Sequence, residues 1–237
     1  MKKTSLNDIL VIIPAYNEEK KLGNVIDKVK KITNNILVVN DYSTDNTQAI
    51  IKSKQIKSIN LISKLSYGAV VQTGFKWALA RKYKYVALID GDGQHDPEYL
   101  IDLYNNITDH NADFIIGSRF DLGYKMPFFK YLGSKLFSFI IRLITKKKFS
   151  DITSGYLMFN RKVLYFFCSD DYPIDYPDAD VLLKLVLLKF NVLEVPVKMY
   201  NNYDKSMHNY VSSIYYIYKI MISIFIILIR RLINDST

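Results

Sequence analysis

The sequence is poor in cysteine: Cys168 is its only one among 237 residues. A single cysteine excludes an internal disulfide and fits a reducing compartment. Cys168 follows Tyr165, Phe166 and Phe167, so we interpret it as a packing residue rather than a nucleophile. The segment before Pro14 also lacks an apolar run long enough for a signal peptide, so none is expected.

Patterns typical of nucleic-acid binding are missing as well. The sequence contains no zinc finger and no RNP-type run of aromatic and basic residues. Lys and Arg nevertheless number 32 against 23 Asp and Glu, which gives a formal net charge of +9. Such a balance favours anionic partners. We therefore expect phosphates or an anionic lipid surface as partners, and no nucleic acid.

The rest of the chain is organised around residues 85–97. Tyr85 to Ile89 is a short apolar run typical of a buried strand in a parallel sheet. Asp90, Asp92 and Gln94 follow directly, at the end of the strand where open α/β sheets bind ligands. Two carboxylates and an amide oxygen form a hard, incomplete ligand shell, which suits Mg²⁺ or Mn²⁺.

Two other interpretations of this stretch are weighed against a metal site. Asp and Gly dominate turns, so the Asp-Gly-Asp-Gly run at 90–93 could be only a turn. A calcium-binding EF-hand loop is excluded, because His95 stands where such a loop needs glycine and Ile101 where it needs glutamate.

Strands and helices alternate along the first half, which predicts an α/β fold with a mostly parallel sheet and helices on both faces. The predicted helices cover Glu18–Ile32, a stretch that carries Ala49, Ile50 and Ile51 and is capped by Thr44 or Asp45, about Gly68–Lys82, a stretch ending near Asp109, a stretch ending at Lys146, and Val181–Leu188. The predicted strands are Ile9–Ile13, Ile36–Val39, Ile59–Ile62, Tyr85–Ile89 and Phe114–Ile116.

Several motifs occur together in one order, and their combination is specific although each is weak alone. They are Pro14-Ala-Tyr-Asn-Glu-Glu19, Val38-Val-Asn-Asp-Tyr-Ser-Thr-Asp45, Gln72-Thr-Gly74, Asp90-Gly-Asp-Gly-Gln-His-Asp-Pro97 and Gly117-Ser-Arg119. In this order the chain resembles the inverting family 2 glycosyltransferases, and most closely the dolichyl-phosphate mannose synthase and polyprenyl-phosphate glycosyltransferase branch. The resemblance implies a GT-A fold, a Rossmann-like mixed sheet that binds a nucleotide sugar.

The resemblance also implies roles for individual residues. The residues implied for binding the donor nucleotide are Pro14, Ala15, Tyr16, Glu18, Asp41, Gly68, Asp90 and Gly91. Among these, the Asp41 carboxylate would accept hydrogen bonds from N–H groups at the edge of the base. Those implied for the metal are Asp90, Asp92 and Gln94. Those implied for the acceptor phosphate are Arg119, Lys130, Lys205 and Ser206. Those implied for catalysis are Asp92, Arg119 and Asp180. Two alternatives stay open: Arg119 in a surface ion pair, and Asp180 as a helix-start carboxylate favoured by the macrodipole.

The predicted division is a GT-A domain over residues 1–208, with a nucleotide-sugar half to about 120 and an acceptor half over 121–208, and a C-terminal helix over 209–237. From Tyr210 to Ile229 the tail is almost wholly apolar, yet Ser212, Tyr216, Lys219, Ser223 and Arg230 fall on one stripe. A broad apolar face with a thin polar stripe favours a helix on a membrane surface or in a homo-oligomer over a membrane span. Packing on its own domain is the remaining alternative.

The sequence therefore predicts a metal-dependent inverting transfer from a nucleotide diphosphate sugar, UDP-sugar favoured, to a polyprenyl phosphate. The expected location is the cytoplasmic face of the cell membrane, as a peripheral or C-terminally anchored protein that serves cell-surface polysaccharide assembly. Two rivals remain: transfer to a saccharide hydroxyl, which would need a base such as Asp180, and a catalytically weak nucleotide-sugar-binding scaffold. The scaffold is suggested by Asn201 and Asp204, which replace an arginine and a glycine of the resembling enzymes.

Overall fold

A seven-stranded sheet forms the centre of the computed structural model, which describes residues 6–122, 124, 128–175, 177–200 and 210–234. The strands are β1 (Ile9–Ala15), β2 (Ile36–Asn40), β3 (Lys57–Asn60), β4 (Tyr85–Leu88), β5 (Phe114–Ser118), β6 (Leu157–Asn160) and β7 (Val192–Pro196). They lie in the order β3-β2-β1-β4-β6-β5-β7. β6 runs antiparallel to both of its neighbours, and every other pairing is parallel. The predicted α/β fold with a mostly parallel mixed sheet is confirmed.

Helices cover both faces of the sheet. They are α1 (Leu22–Lys30), α2 (Thr47–Ser53), α3 (Tyr67–Leu79), α4 (Leu100–Asp109), α5 (Phe128–Thr145), α6 (Arg161–Phe167), α7 (Ala179–Leu187) and α8 (Tyr210–Asn234). Alternate residues of β1 separate two apolar cores: Leu10 and Ile12 pack with α3 and α5–α8, whereas Val11 and Ile13 pack with α1 and α4. This alternation follows from the two-residue period of a strand.

The third strand is displaced from its predicted position at Ile59–Ile62. Lys57 of β3 pairs with Leu37 of β2, and the strand ends at Asn60. Ile62 lies beyond the strand and is 95 % exposed. β3 is an edge strand, so main-chain pairing with β2 decides its position more than the burial of apolar side chains does. β6 and β7 were not predicted.

The C-terminal helix α8 packs on its own domain through one face. Ile220, Ile224 and Ile227 are buried in the same apolar core as α3, α5 and α7. Within the part of the chain that the structure describes, no helix is long and apolar enough to cross a membrane. Packing on its own domain, one of the alternatives left open by the sequence, thus accounts for one face of the helix.

Candidate active site

The carboxyl ends of β1, β2 and β4 place three predicted donor loops side by side. The Asp41 amide donates to the carbonyl oxygen of Ala15 at 2.9 Å, and the Gly91 amide donates to that of Pro14 at 3.3 Å. A Cβ atom at position 91 would lie 3.0 Å from the Pro14 oxygen, so the loops approach closely because that residue is glycine. The structure therefore brings Pro14, Ala15, Asp41 and Gly91 together.

Asp41 is held inside this cleft by the loop that leads into α3. Its Oδ1 accepts a hydrogen bond from the Leu65 amide at 2.8 Å, and the residue is only 7 % exposed. In the same loop the Lys64 ammonium lies 3.7 Å from the centre of the Tyr16 ring, within cation–π range. The Glu18 amide donates to Thr47 Oγ1 at 2.8 Å. Together these contacts fix the walls of the predicted nucleoside pocket.

Gly68 has a steric role at the start of α3. A Cβ atom there would lie 2.4 Å from the carbonyl oxygen of Ile174, which no side chain can tolerate without a shift of backbone. Ser66 Oγ donates to the same oxygen at 2.7 Å. The start of α3 is thereby attached to the loop that precedes α7, in the predicted acceptor half.

Asp90 is the most strongly perturbed carboxyl group at the strand ends. The Tyr67 hydroxyl donates to Asp90 Oδ1 at 3.0 Å. Burial, and after it the negative charge of Asp92, raise the pKa of Asp90 to about 7. Two neighbouring carboxylates that repel one another are stabilised by a cation, so the donor set fits a divalent metal.

His95 is a buried side chain that supports the backbone of this loop. It is stacked on the Tyr156 ring with 4.9 Å between ring centroids, and burial lowers its pKa to about 3. The Asp90 amide donates to His95 Nδ1 at 3.1 Å, so the neutral ring carries its proton on Nε2. That nitrogen lies 3.8 Å from Asp90 Oδ2. His95 is therefore a neutral support and not a cation.

Asp92 and Gln94 form a tight turn beyond Asp90. The Gln94 amide donates to Asp92 Oδ1 at 3.0 Å, and Gly93 between them has a φ of +76°, a conformation that favours glycine. The Gln94 carbonyl accepts from the Tyr200 amide at 2.8 Å. A cavity of about 230 Å³ beside this turn is lined by Lys20, Lys21, Asn24, Val25, Asp92, Gly93, Gln94 and Tyr200.

No group of three or more His, Cys, Asp or Glu side chains converges as a metal cluster within the described ranges.

Arg119 lies in a buried ion pair with Asp151. Its Nε and Nη2 donate to the two carboxylate oxygens at 2.7 Å each, and Nη2 also donates to Thr153 Oγ1 at 2.9 Å. Asp151 is fully buried. Burial disfavours the guanidinium charge, but the hydrogen bonds and charge of Asp151 outweigh it and raise the pKa of Arg119. The side chain is therefore rigid, and Nη1 is the nitrogen that neither Asp151 nor Thr153 engages.

Asp180 is directed toward α8. Its Oδ1 accepts from the Val181 amide at 2.8 Å, and its Oδ2 accepts from Ser223 Oγ at 2.6 Å. The neighbouring Asp178 accepts a 2.6 Å hydrogen bond from the Tyr216 hydroxyl. Both carboxyl groups have raised pKa values because they are buried, that of Asp178 at about 6. Both oxygens of Asp180 accept hydrogen bonds, one from the start of its own helix and one from α8.

Other predicted acceptor residues cannot be placed. Lys205 and Ser206, together with Asn201 and Asp204, lie outside the described residues, as does the side chain of Lys130.

The sequence did not single out Tyr67, His95, Asp151 or Asp178 as site residues. In the sequence, His95 is notable only as a mismatch to a calcium loop, and Asp178 only because it lies two residues before Asp180. For Tyr67 the sequence contains no signal, because its contact with Asp90 spans 23 positions.

Comparison with known proteins gives a consistent result. Residues 10–166 match the sequence model of the family described as Glycosyl transferase family 2. A polyprenol monophosphomannose synthase of Mycolicibacterium smegmatis is 34 % identical over 65 % of this chain and 62 % of its own length. A UDP-N-acetylglucosamine–dolichyl-phosphate N-acetylglucosaminyltransferase of Methanococcus voltae is 29 % identical over 83 % of this chain and 87 % of its own.

Among solved structures, the glucosyl-3-phosphoglycerate synthase of Mycobacterium tuberculosis has the same fold. It superimposes with a TM-score of 0.70 at 14 % identity, covering 91 % of this chain and 78 % of that one. Another structure of that enzyme, determined with Mn²⁺, UDP and phosphoglyceric acid, gives a TM-score of 0.69 at 14 % identity, with the same coverage of both chains.

Proposed function

The chain belongs to glycosyltransferase family 2 and is a glycosyltransferase, and we propose that it moves a sugar from a nucleotide diphosphate sugar to a polyprenyl phosphate with inversion. The observation that carries this acceptor is the similarity, over most of the chain, to enzymes named for polyprenyl and dolichyl phosphates. UDP is favoured as the donor nucleotide because the Methanococcus voltae relative is named for a UDP-sugar.

The nucleotide is proposed to lie across the ends of β1, β2 and β4. Asp41 would accept N–H groups of the base through Oδ2, because its Oδ1 already accepts from Leu65. The Tyr16 ring and the backbone of 14–18 would form the wall of this pocket. Gly91 would let the diphosphate approach the main chain.

Asp90, Asp92 and Gln94 would hold a divalent cation, Mg²⁺ or Mn²⁺, beside the donor diphosphate. When bound, the cation supplies positive charge to the departing nucleotide. Tyr67 fixes the rotamer of Asp90, and His95 fixes the backbone of the same residue, so this chain holds the first carboxylate in place from two sides.

We propose that the acceptor phosphate binds the guanidinium group of Arg119, which Asp151 and Thr153 hold in place. Arg119 would contact the phosphate through Nη1, and its role is to hold the nucleophilic oxygen in line with the anomeric carbon. A phosphate oxygen is already anionic near neutral pH, so this reaction needs no strong base.

An apolar surface on α5 and α8 supports contact with a membrane. Its exposed side chains include Leu132, Phe139 and Leu143 of α5 and Phe225 and Leu232 of α8, each at least 55 % exposed. Neither helix contains an acidic residue, whereas both contain Lys and Arg. An apolar surface on helices that carry basic and no acidic side chains fits anionic lipid. We therefore propose a peripheral position at the cytoplasmic face of the membrane.

The acceptor is tested by offering purified protein two lipids in liposomes, a polyprenyl phosphate and a polyprenyl diphosphate that carries a saccharide. With UDP-sugars and Mn²⁺, the expected product is a polyprenyl phosphate glycoside, identified by mass spectrometry. Elongation of the saccharide lipid alone would instead support the hydroxyl acceptor. Nucleotide-sugar binding without either product would support the scaffold.

A further inference from the structure

The polar stripe of the C-terminal helix faces acidic residues of its own domain. Tyr216 donates to Asp178 and Ser223 to Asp180, each at 2.6 Å. Two ion pairs continue the same interface: Lys219 with Asp175 at 3.5 Å and Arg230 with Asp171 at 3.2 Å. Four residues of the polar stripe, Tyr216, Lys219, Ser223 and Arg230, are therefore each matched to an aspartate of the acidic segment, residues 171–175 and 177–180.

The other side of the acidic segment touches the donor site. The Ile174 carbonyl accepts from Ser66 and lies against Gly68, at the start of α3. The next residue of that helix, Tyr67, donates to Asp90 of the proposed metal loop. The acidic segment thus contacts α8 at four aspartates and contacts the start of α3, next to Tyr67 and Asp90, through Ile174.

The two inner contacts differ from the two outer ones in burial. The Lys219–Asp175 and Arg230–Asp171 pairs are between 40 % and 66 % exposed, where ion pairs contribute little. Asp180 is 2 % exposed, and burial raises the pKa of both Asp178 and Asp180. A buried carboxylate depends on its hydrogen-bond donors to keep its charge and orientation.

We infer that Tyr216 and Ser223 of the C-terminal helix are positioning residues, which fix Asp178 and Asp180 on the acceptor side of the transfer site. This inference rests on the proposed function for its effect on catalysis. The helix α8 would then help to position side chains of the transfer site, in addition to any contact of its outer face with lipid. The Tyr216 hydroxyl is the more informative of the two, since the pKa of Asp178, which burial raises, is lowered by this hydrogen bond and also by the positive charge of Arg119.

The expected pH effect follows from the groups around Asp178. These are Tyr216 on α8, Asp180 on α7, Arg119 after β5, Asp151 after α5, Tyr172 before α7 and Tyr67 on α3. Burial raises the pKa of Asp178, and the Tyr216 hydrogen bond partly offsets that rise. Loss of the hydroxyl must raise this pKa further, so Asp178 would lose its charge at a higher pH. The negative charge that interacts with Arg119 would then be lost at a higher pH than in the wild type.

The test compares Tyr216→Phe and Ser223→Ala with Tyr218→Phe, a control on the same helix whose side chain is 59 % exposed. Carboxyl ¹³C NMR of the full chain follows the Asp178 titration, assigned with Asp178→Asn. Transfer to polyprenyl phosphate in liposomes is measured against pH for each protein, and thermal unfolding is recorded in parallel.

We expect Tyr216→Phe to move the Asp178 titration and the acid limb of kcat/KM to higher pH. At pH 6 its kcat/KM should fall about tenfold, as for the loss of one hydrogen bond to a charged group, and should approach the wild-type value in mildly alkaline solution. Ser223→Ala should lower kcat with little effect on UDP affinity, and Tyr218→Phe should match the wild type.

The inference is overturned if the Asp178 titration does not move in Tyr216→Phe. It is also overturned if activity falls equally at every pH in proportion to the loss of thermal stability, because a purely structural contact would act in that way. If the wild-type chain glycosylates no lipid phosphate, the proposed function fails by itself. The NMR titration requires no substrate and would still decide whether Tyr216 controls Asp178.

Discussion

The buried Arg119–Asp151 pair allows a stability prediction with an internal control. Asp151→Asn keeps the shape of the side chain but removes the charge that faces the guanidinium group. Asp151 is fully buried and Arg119 is 12 % exposed, so water cannot replace the lost partner. Breaking a buried pair in this way costs about 3–5 kcal/mol. For a chain of this size each kcal/mol lowers the Tm by about 2–4 °C, which gives a fall of about 6–20 °C.

The matched control is Asp171→Asn, which removes the acidic partner of Arg230. In that pair the two side chains are 66 % and 64 % exposed, and such pairs contribute about 0–1 kcal/mol. Thermal unfolding followed by far-UV circular dichroism should therefore separate the two variants by several degrees at least. Equal Tm values for Asp151→Asn and Asp171→Asn would refute the claim that the Arg119 fork is held by a desolvated charge.

Three further outcomes are expected. Asp41→Ala should weaken UDP binding roughly 10- to 100-fold, the effect of losing a hydrogen bond to a charged group, and unchanged affinity for every nucleoside diphosphate in titration calorimetry would contradict its role. Gly68→Ala should lower the free energy of unfolding in urea by about 1–3 kcal/mol, because the added methyl group overpacks the site. In the control Gly23→Ala the Cβ would meet nothing nearer than 3.5 Å, so this change should be neutral or stabilising. Similar effects of the two substitutions would exclude the close approach at position 68. Phe225→Asp should reduce flotation with anionic liposomes at least about tenfold, from the loss of one buried aromatic side chain, whereas Leu188→Asp, elsewhere on the surface, should float as the wild type does.

The parts of the site that lie within one strand and its following loop could be predicted from sequence. Asp90, Asp92 and Gln94 come directly after an apolar run, and the position of such residues at a parallel strand end is a local property. The same holds for Asp41 after β2. For these residues, the position of the strand along the sequence nearly determines where the side chain lies in the fold.

The parts that depend on contacts between distant segments could not be predicted in this way. Asp151 follows α5 and reaches Arg119 only because β6 inserts antiparallel between β4 and β5, a pairing that no local pattern indicates. The polar stripe of α8 was visible as a pattern, but its partners lie 38 to 59 positions earlier in the chain. A stripe predicts that something polar lies opposite it, and only the fold identifies the acidic segment.

The role of α8 also changes what a deletion can test. Ile220, Ile224 and Ile227 are buried in the core, so removal of the helix would expose apolar surface of the domain as well as any lipid-facing side chains. Point substitutions on the outer face separate these two effects, which a truncation would combine.

The most direct test of the central claim is the transfer reaction of Asp92→Ala. The account places Asp92 in the metal-holding turn after β4, in a surface loop where loss of one carboxylate should leave the fold intact. With UDP-sugar, Mn²⁺ and polyprenyl phosphate, we expect the wild type to turn over substrate and a chelator to stop that turnover. Asp92→Ala should show no detectable turnover. The control Asp109→Ala, which changes an exposed aspartate at the end of α4, should behave as the wild type does. Full activity of Asp92→Ala in the presence of the chelator would show that transfer does not depend on a metal held at this turn.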